Sequence, residues 1–484
     1  MAAIVVKTID GKSVSLSSGA LDALRGALRG GLSLPGEAGY DEARTIWNAM
    51  IDKRPAAIVR AAGASDVIQT VRLAAQHGLL LSVRGGGHNI AGNAVCEGGL
   101  MLDLSRMVSV WVDPGERRAR VEPGARLADL DRETQAFGVA TPLGINSTTG
   151  VAGLTLGGGF GWLSRKHGLT VDNLVSADVV TAAGELVRAS ESEHPDLFWA
   201  IRGGGGNFGV VTSFEFRLHP VGPQVIAGLI VHPFSSAKQV LNEYRRLVAK
   251  APDELCCWAV MRKAPPLPFL PPEVHGTEVL VLALCHAGDP VAGQKAVAPF
   301  KAIGKPIADV VGPAPYSTWQ MAFDPLLTAG QRNYWKSHDF VELADGLIDV
   351  LLNAIRSLPS PQCEVFIGNL GGAINRVPVE ATAYPHRDVH FVMNVHTRWS
   401  SPSEDAGCIK WARALYDAAA PFATGGVYVN FMPDDESQRV RSGAYGPNYE
   451  RLARVKAKYD PRNLFRMNQN VAPAATTKGA LAAP

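Results

Sequence analysis

The run Val83-Arg84-Gly85-Gly86-Gly87-His88-Asn89 joins a backbone able to approach a ligand closely to an imidazole able to react with one. Contiguous glycines have no Cβ and lose the most entropy on ordering, so their presence in a folded region points to close packing of the main chain. Two further clusters repeat the theme, at residues 150–161 (Gly-Val-Ala-Gly-Leu-Thr-Leu-Gly-Gly-Gly-Phe-Gly) and 202–209 (Arg-Gly-Gly-Gly-Gly-Asn-Phe-Gly). A fourth stretch, residues 459–470, reads Tyr-Asp-Pro-Arg-Asn-Leu-Phe-Arg-Met-Asn-Gln-Asn. Loops this far apart in sequence could wrap one extended ligand carrying a pyrophosphate, whose oxygens accept from converging backbone N–H groups. For the first loop alone, a surface turn with an incidental histidine is the competing reading.

The elements that must position these loops follow from periodicity. Residues 56–60 are expected as a strand and residues 65–76 as a helix, with Val67, Ile68, Val71, Ala74 and Ala75 on its apolar face. Residues 79–84 form the next strand, so the glycine loop leaves the carboxyl end of a β-α-β unit. The glycines are contiguous and lack the GxGxxG spacing of a nicotinamide-dinucleotide fingerprint. Short strands recur at 101–104, 109–113, 118–122, 174–180 and 210–218, with a helix at 127–137. Ahead of them, residues 18–29 and 40–50 read as helices. After Pro220 the texture changes to strands at 225–232, 254–262, 277–284, 363–370 and 389–399. These alternate with helices at 235–251, 289–303, 342–356 and 403–418, which predicts a second domain with an antiparallel sheet covered on one face.

Composition narrows the function classes. A chain of 484 residues, 46% hydrophobic and 19% charged, is globular and long enough for two domains. Its net charge of +2 leaves no polybasic footprint, so neither nucleic acid nor a membrane surface is an expected partner. The six cysteines have no CxxC spacing and the twelve histidines no HExxH pattern, so no metal is expected. Residues 1–8 lack a signal-peptide pattern and no stretch is long and apolar enough to span a bilayer; a soluble, cytoplasmic protein is the expectation. The oligomeric state is left open.

Taken jointly, Arg84–Asn89, the 150–161 cluster, Asp-Leu-Phe-Trp-Ala-Ile-Arg-Gly-Gly-Gly at 196–205 and the closing Tyr-Asp-Pro…Asn-Gln-Asn resemble the berberine-bridge-enzyme-like FAD-linked oxidases. These belong to the vanillyl-alcohol-oxidase (PCMH-type) flavoprotein superfamily, and the bacterial 6-hydroxy-D-nicotine oxidase-like members are the most similar in pattern. The resemblance runs from about residue 54 to residue 473. It implies an α+β, two-domain PCMH-type fold. Residues 1–52 would be a helical segment packing on the FAD domain, 53–222 that domain, and 223–435 the substrate domain. Residues 436–473 would return to the FAD domain, and 474–484 would be a loose tail.

For the cofactor, the resemblance implies FAD bonded covalently through His88. Members with a second, cysteinyl link carry a cysteine where this chain has Asn146, so attachment through His88 only is expected. Arg84, Gly85, Gly86, Gly87, Asn89 and Gly92 would cradle the pyrophosphate. Pro142, Thr148, Thr149, Gly150 and Gly153 would line the flavin and diphosphate, with Gly158 and Gly161 allowing close approach. Val210 would meet the adenine or the ring edge, and Asn468 and Asn470 the isoalloxazine side. Two stretches resemble the family's substrate wall, 394–399 and 428–431. Strand alternation puts Asn394 with His396, and Tyr428 with Asn430, on shared faces. Tyr428 is the first candidate for handling the substrate proton, His396 the second, and Asn394 a substrate-orienting amide; Tyr445 and Tyr449 are candidates for the pocket mouth. The implied reaction removes a hydride from a CH–OH or CH–NH group of a small organic substrate and reduces dioxygen to hydrogen peroxide. A dehydrogenase using another acceptor, and a non-catalytic flavin- or metabolite-binding protein, are the alternatives. Substrate identity stays open among alcohols, sugars, cyclic amines and aromatic metabolites.

Overall fold

The computed structural model of the protein describes residues 3–475. A mixed α+β N-terminal region is followed by a C-terminal domain of sheet plus helices. The last nine residues of the expected tail lie outside the described residues.

The N-terminal region contains two main sheets. One has the strand order Gly31–Ser33, Ala57–Arg60, Leu100–Asp103, Leu81–Arg84, and its last three strands are parallel. Helix Ala64–His77 makes the crossover between Ala57–Arg60 and Leu81–Arg84, and Gly78 stops it in the left-handed conformation (φ 61°). Its start is held by Asp66, a buried carboxylate accepting from the backbone N–H groups of Arg29, Gly30 and Ala62 at 2.8–2.9 Å. The other sheet is antiparallel, in the order Leu186–Ser190, Leu174–Val180, Val210–Arg217, Arg118–Val121, Val110–Asp113.

The chain begins with a hairpin, Ile4–Lys7 with Ser13–Leu16, which the sequence reading did not include. The helix expected over 40–50 is confined to Tyr40–Arg44. Thr45 turns extended (ψ 131°), and Ile46, Trp47 and Asn48 are buried individually instead of lining one helical face.

The C-terminal domain is built on an antiparallel sheet in the order Ala308–Asp309, Gln224–Pro233, Glu278–His286, Leu255–Lys263, Glu364–Asn369, Phe391–Trp399, Arg332–Phe340, with Gly312–Pro315 alongside. Helices Ala237–Val248, Pro290–Lys301, Asp345–Ile355 and Asp405–Ala419 cover one face, and their apolar residues and alternate strand residues form one core cluster. The other face is turned toward the N-terminal region. Strand Arg332–Phe340 is a finding of the structure and has no counterpart in the sequence reading.

After this sheet the chain returns. Helix Tyr449–Tyr459 packs on helix Pro195–Ile201, and Leu452 and Val471 join the N-terminal core. Asp460, fully buried, accepts from the backbone N–H of Leu464 (2.7 Å) and Phe465 (2.8 Å) and pairs with Lys456 (2.7 Å). Lys456 in turn donates to the carbonyl of Asn207 at 2.6 Å, so the Tyr-Asp-Pro motif ties the last segment to the third glycine loop. Removing one partner of a buried pair like this costs roughly 3–5 kcal/mol, because the other charge is stranded.

Candidate active site

One large cavity lies between the glycine loops and the uncovered face of the C-terminal sheet. It encloses about 1830 Å³ of unfilled space, part of it open to solvent. The loop after strand Leu81–Arg84 supplies Gly85, Gly86, Gly87, His88 and Asn89; the second cluster supplies Thr149, Gly150 and Gly153; Val210 and Asn468 complete this side. Asn394, His396 and Tyr428 form part of the opposite wall. Residues from six separate parts of the chain thus meet at one space.

The two glycine loops cross in contact. A Cβ on Gly86 would lie 2.4 Å from Gly150 Cα, and one on Gly150 would lie 2.5 Å from Gly86 N. Contiguous glycine is required here by space, not by turn geometry alone. The crossing presents main chain without side chains to the cavity, as an extended pyrophosphate-bearing ligand needs.

His88 is half-buried at the end of the first glycine loop, with its ring stacked on Trp47 (centroids 4.9 Å apart, 22°). Its Nε2 is 3.1 Å from the Thr148 hydroxyl, which donates its own proton to Asn146 Oδ1 at 2.7 Å. A hydroxyl has one proton, so Thr148 accepts from His88 Nε2–H and the lone pair is left on Nδ1. Burial, with Arg126 adding to it, pushes the imidazole down to about 3, so the ring is neutral and nucleophilic at neutral pH. None of the six cysteines lines the cavity among the described residues.

Other expected residues stand behind the wall. Arg84 donates to the Ala43 carbonyl (2.5 Å) and lies 3.9 Å from Asp103, so it braces the loop. Gly92 packs on Ile51, Gly161 on the Leu143 carbonyl, and Gly158 on the rings of Tyr384 and Tyr428. Pro142 accepts from Thr170 through its carbonyl at 2.7 Å. Thr148 touches His88 and is absent from the cavity lining, as is Asn470. Their positions support the loops and do not present them directly to a ligand. Tyr445 reaches the lining and Tyr449 does not.

Tyr428 and Asn430 do converge, but not as strand neighbours: Val429–Phe431 is a single 3₁₀ turn with Tyr428 at its start. The Tyr428 oxygen accepts from Gly159 N–H (3.0 Å) and from the Asn430 amide (2.9 Å). Burial nevertheless pushes the phenol up to about 12, these two donors opposing it. At neutral pH it is a hydrogen-bond donor. Asn394 and His396 share a face of strand Phe391–Trp399; both amide atoms of Asn394 and Nε2 of His396 are buried without hydrogen-bond partners.

Sequence reading missed much of the wall. Trp335 packs edge-on against His396 (4.5 Å) and Trp47 (5.7 Å), bridging the two sides of the cavity. Trp258 and Phe366 add aromatic surface, beside Phe160 and Phe431 of the stretches already singled out, and Glu364 is the one carboxylate among the described lining residues. Asn48 pins the sides together, donating to the carbonyls of Ile90 (3.2 Å) and Asn333 (3.0 Å). Among the described residues no His, Cys, Asp and Glu cluster could hold a metal, and no helix is long and apolar enough to cross a membrane.

Glycine main chain lines one side of this cavity and aromatic rings the other, which suits a dinucleotide cofactor beside a small organic substrate, and comparison with known proteins supplies the class. The family model "FAD binding domain" matches residues 55–190, and "Berberine and berberine like" matches 427–472. The FAD-linked oxidoreductase YgaK of Bacillus subtilis is 32% identical over 441 residues, covering 90% of this chain and 95% of its own. The (R)-6-hydroxynicotine oxidase of Paenarthrobacter nicotinovorans is 31% identical over 461 residues, covering 92% and 97%. The crystal structure of 6-hydroxy-D-nicotine oxidase from Arthrobacter nicotinovorans superposes with a TM-score of 0.82 at 28% identity, covering 92% and 98%. The chain belongs to the berberine-bridge-enzyme-like FAD-linked oxidoreductases of the vanillyl-alcohol-oxidase superfamily, and it is an FAD-dependent enzyme of the oxidase type.

Proposed function

We propose that the protein removes a hydride from a CH–OH or CH–NH carbon of a small, largely apolar organic substrate, with FAD held by a single covalent bond to His88 and dioxygen as electron acceptor. The observation that carries this reading is the single cavity that faces His88 and the glycine crossing on one side and Asn394, His396 and Tyr428 on the other. The bound flavin supplies the two-electron acceptor for the substrate hydride and passes the electrons on to dioxygen. The chain itself binds, orients and handles the proton. Main-chain N–H groups of the glycine loops suit the pyrophosphate, and the neutral Nδ1 of His88 suits attachment. Asn146, standing where a cysteine would make a second link, offers no nucleophile.

The substrate class is argued from the wall. Trp258, Trp335, Phe366 and Phe431 present apolar faces, and the one carboxylate, Glu364, is already engaged by Arg262 at 2.6 Å. A second, smaller apolar space shares Ile145, Trp258, Leu327 and Phe366 with the main cavity, and it would take an apolar extension of the substrate. Aromatic alcohols and cyclic amines are therefore favoured over oligosaccharides, whose hydroxyls would need more polar partners. Relatives named for both kinds exist, including the 6-hydroxynicotine oxidase and a chitooligosaccharide oxidase of Gibberella zeae.

The test is to purify the protein, precipitate it in acid, weigh it intact, and screen the soluble holoenzyme for peroxide release. The panel contains aromatic alcohols, cyclic amines and oligosaccharides. Flavin mass on the chain, lost in His88→Ala, with peroxide from an aromatic or cyclic-amine member, is expected. Flavin that bleaches with substrate and stays bleached in air would establish a dehydrogenase. Flavin released into the acid supernatant would sink the His88 assignment.

A further inference from the structure

A row of side chains crosses four neighbouring strands on the cavity side of the large sheet. Register pairs Arg262 with Glu364, Glu364 with His396, and His396 with Trp335. Residues directly opposite one another share a face. Arg262 Nη1 donates to Glu364 Oε2 at 2.6 Å, and His396 Nδ1 lies 3.2 Å from Glu364 Oε1. Glu364 is 7% exposed and His396 4%. Nε2, the outer nitrogen of His396, is buried without a partner, and the His396 side chain lines the cavity together with Asn394, whose amide is also buried and unpartnered.

We infer that His396 Nε2 takes the proton from the substrate's O–H or N–H, and that Glu364, clamped by Arg262, is the positioning residue that fixes the tautomer making this possible. The inference rests on the oxidase reading above and adds the identity of the proton acceptor to it. Arginine only donates, so Arg262 occupies Oε2 and leaves Oε1 as an acceptor. An ionised carboxylate only accepts, so the proton of the neutral ring sits on Nδ1 and the lone pair on Nε2.

The surrounding charges maintain this arrangement. Burial works to raise the Glu364 carboxyl, but Arg262, His396 and Arg398 bring it down to about 2. Burial also holds His396 below its ordinary value, with Glu364 pulling the other way and Arg398 and Arg262 assisting burial. The neighbouring strand offers Trp335 and the turn Val429–Phe431 offers Tyr428 at its start, neither charged at neutral pH. In the reaction the O–H or N–H bond breaks as the Nε2–H bond forms, while the C–H electron pair and its hydrogen leave as hydride. The resulting imidazolium faces an ionised Glu364, which stabilises it. Tyr428, protonated and held by Gly159 and Asn430, donates to the substrate heteroatom and does not compete as base.

The decisive measurement is the side-chain nitrogen–proton correlation spectrum of holoenzyme labelled with ¹⁵N-histidine, with His396→Gln identifying the His396 signals. At pH 7 the ring is expected neutral and protonated on Nδ1. In Glu364→Gln, Arg262 retains the amide oxygen, so the amide NH₂ points at Nδ1 and moves the ring proton to Nε2. The base becomes a donor. Anaerobic flavin reduction by the best substrate of the peroxide screen is then expected to slow by about 10²-fold or more, with flavin content and KM nearly unchanged. A charged ring, or one protonated on Nε2, in the flavin-loaded wild type would overturn the assignment even if the variant fails to fold. A Glu364→Gln enzyme with reversed tautomer and undiminished reduction would overturn it too. Failure to retain flavin at all would count against the oxidase reading instead.

Discussion

The tautomer of His88 depends on Asn146, which bonds to Thr148, the residue whose hydroxyl meets the ring. Asn146 Oδ1 accepts from both the hydroxyl (2.7 Å) and the backbone N–H (3.1 Å) of Thr148. That leaves the Thr148 oxygen free only to accept, which holds the His88 proton on Nε2 and the lone pair on Nδ1. Asn146→Ala frees the Thr148 hydroxyl to donate to Nε2, so both tautomers become available. Covalent flavin incorporation into the purified apoprotein, followed by intact mass over time, is expected to slow roughly tenfold, equivalent to about 1.4 kcal/mol. Thr148→Val should slow it further, and His88→Ala should abolish it. Unchanged kinetics in Asn146→Ala would show that stacking on Trp47 alone orients the ring. The chemistry of this site was legible as a glycine-flanked histidine near a cysteine-less segment. The relay was not, because it depends on which side of a hydroxyl its single proton takes.

At the scale of elements, the crossing of the first two glycine loops is the tightest constraint on the site. A methyl on Gly86 meets the main chain of Gly150, so the loop after strand Leu81–Arg84 and the N-cap of helix Val151–Leu156 would have to separate. Gly86→Ala is therefore expected to lose about 1–3 kcal/mol of stability and most of its flavin, read as the flavin-to-protein ratio and the midpoint of urea unfolding. Gly26→Ala is the control: it lies in helix Ser18–Ala27, its Cβ meets nothing within 4 Å, and it should stabilise by roughly 0.5–1 kcal/mol. The β-α-β unit behind the first loop was readable because its apolar residues recur with clean period. Strand Arg332–Phe340 was not. It carries Arg332, Asn333, Lys336, Ser337, His338 and Asp339, and it looks like a polar loop until its partners are in place. Lys336 pairs with Glu436 (2.8 Å) and Asp435 (3.3 Å), and Arg332 with Asp405 (2.5 Å), all distant in sequence. The same strand supplies Trp335, so the aromatic wall of the cavity was hidden with it. Tyr428 and Asn430 were found for the wrong reason, since a 3₁₀ turn and not strand alternation brings them together.

For the whole molecule, the question is what keeps the N-terminal region and the C-terminal domain facing each other across the cavity. Asn48 is one link, and the Ser147 backbone N–H donating to Asp324 (3.0 Å) is another. A further link is sensitive to pH. Asp131, on helix Leu127–Gln135, accepts from the side chain of Gln320 at 2.9 Å, on helix Tyr316–Gln320. Complete burial pushes its carboxyl up to about 7, the Gln320 hydrogen bond offsetting only part of this. In the unfolded chain the same group titrates near ~3.9. The folded state thus binds the proton more tightly, and between about pH 4 and pH 7 stability falls as pH rises; above 7 the loss is complete. Asparagine at this position keeps an acceptor for Gln320 and cannot ionise. Relative to wild type, Asp131→Asn should gain about 2–3 kcal/mol between pH 5 and pH 8, at 1.36 kcal/mol per pH unit over the part of that window below the carboxyl's titration. Urea unfolding at the two pH values measures this directly. Parallel pH profiles for the two proteins would mean that Asp131 is ionised in the fold at both, and that the interface tolerates its charge. A widening gap would instead identify Asp131 as the group through which rising pH loosens the two halves of the active site.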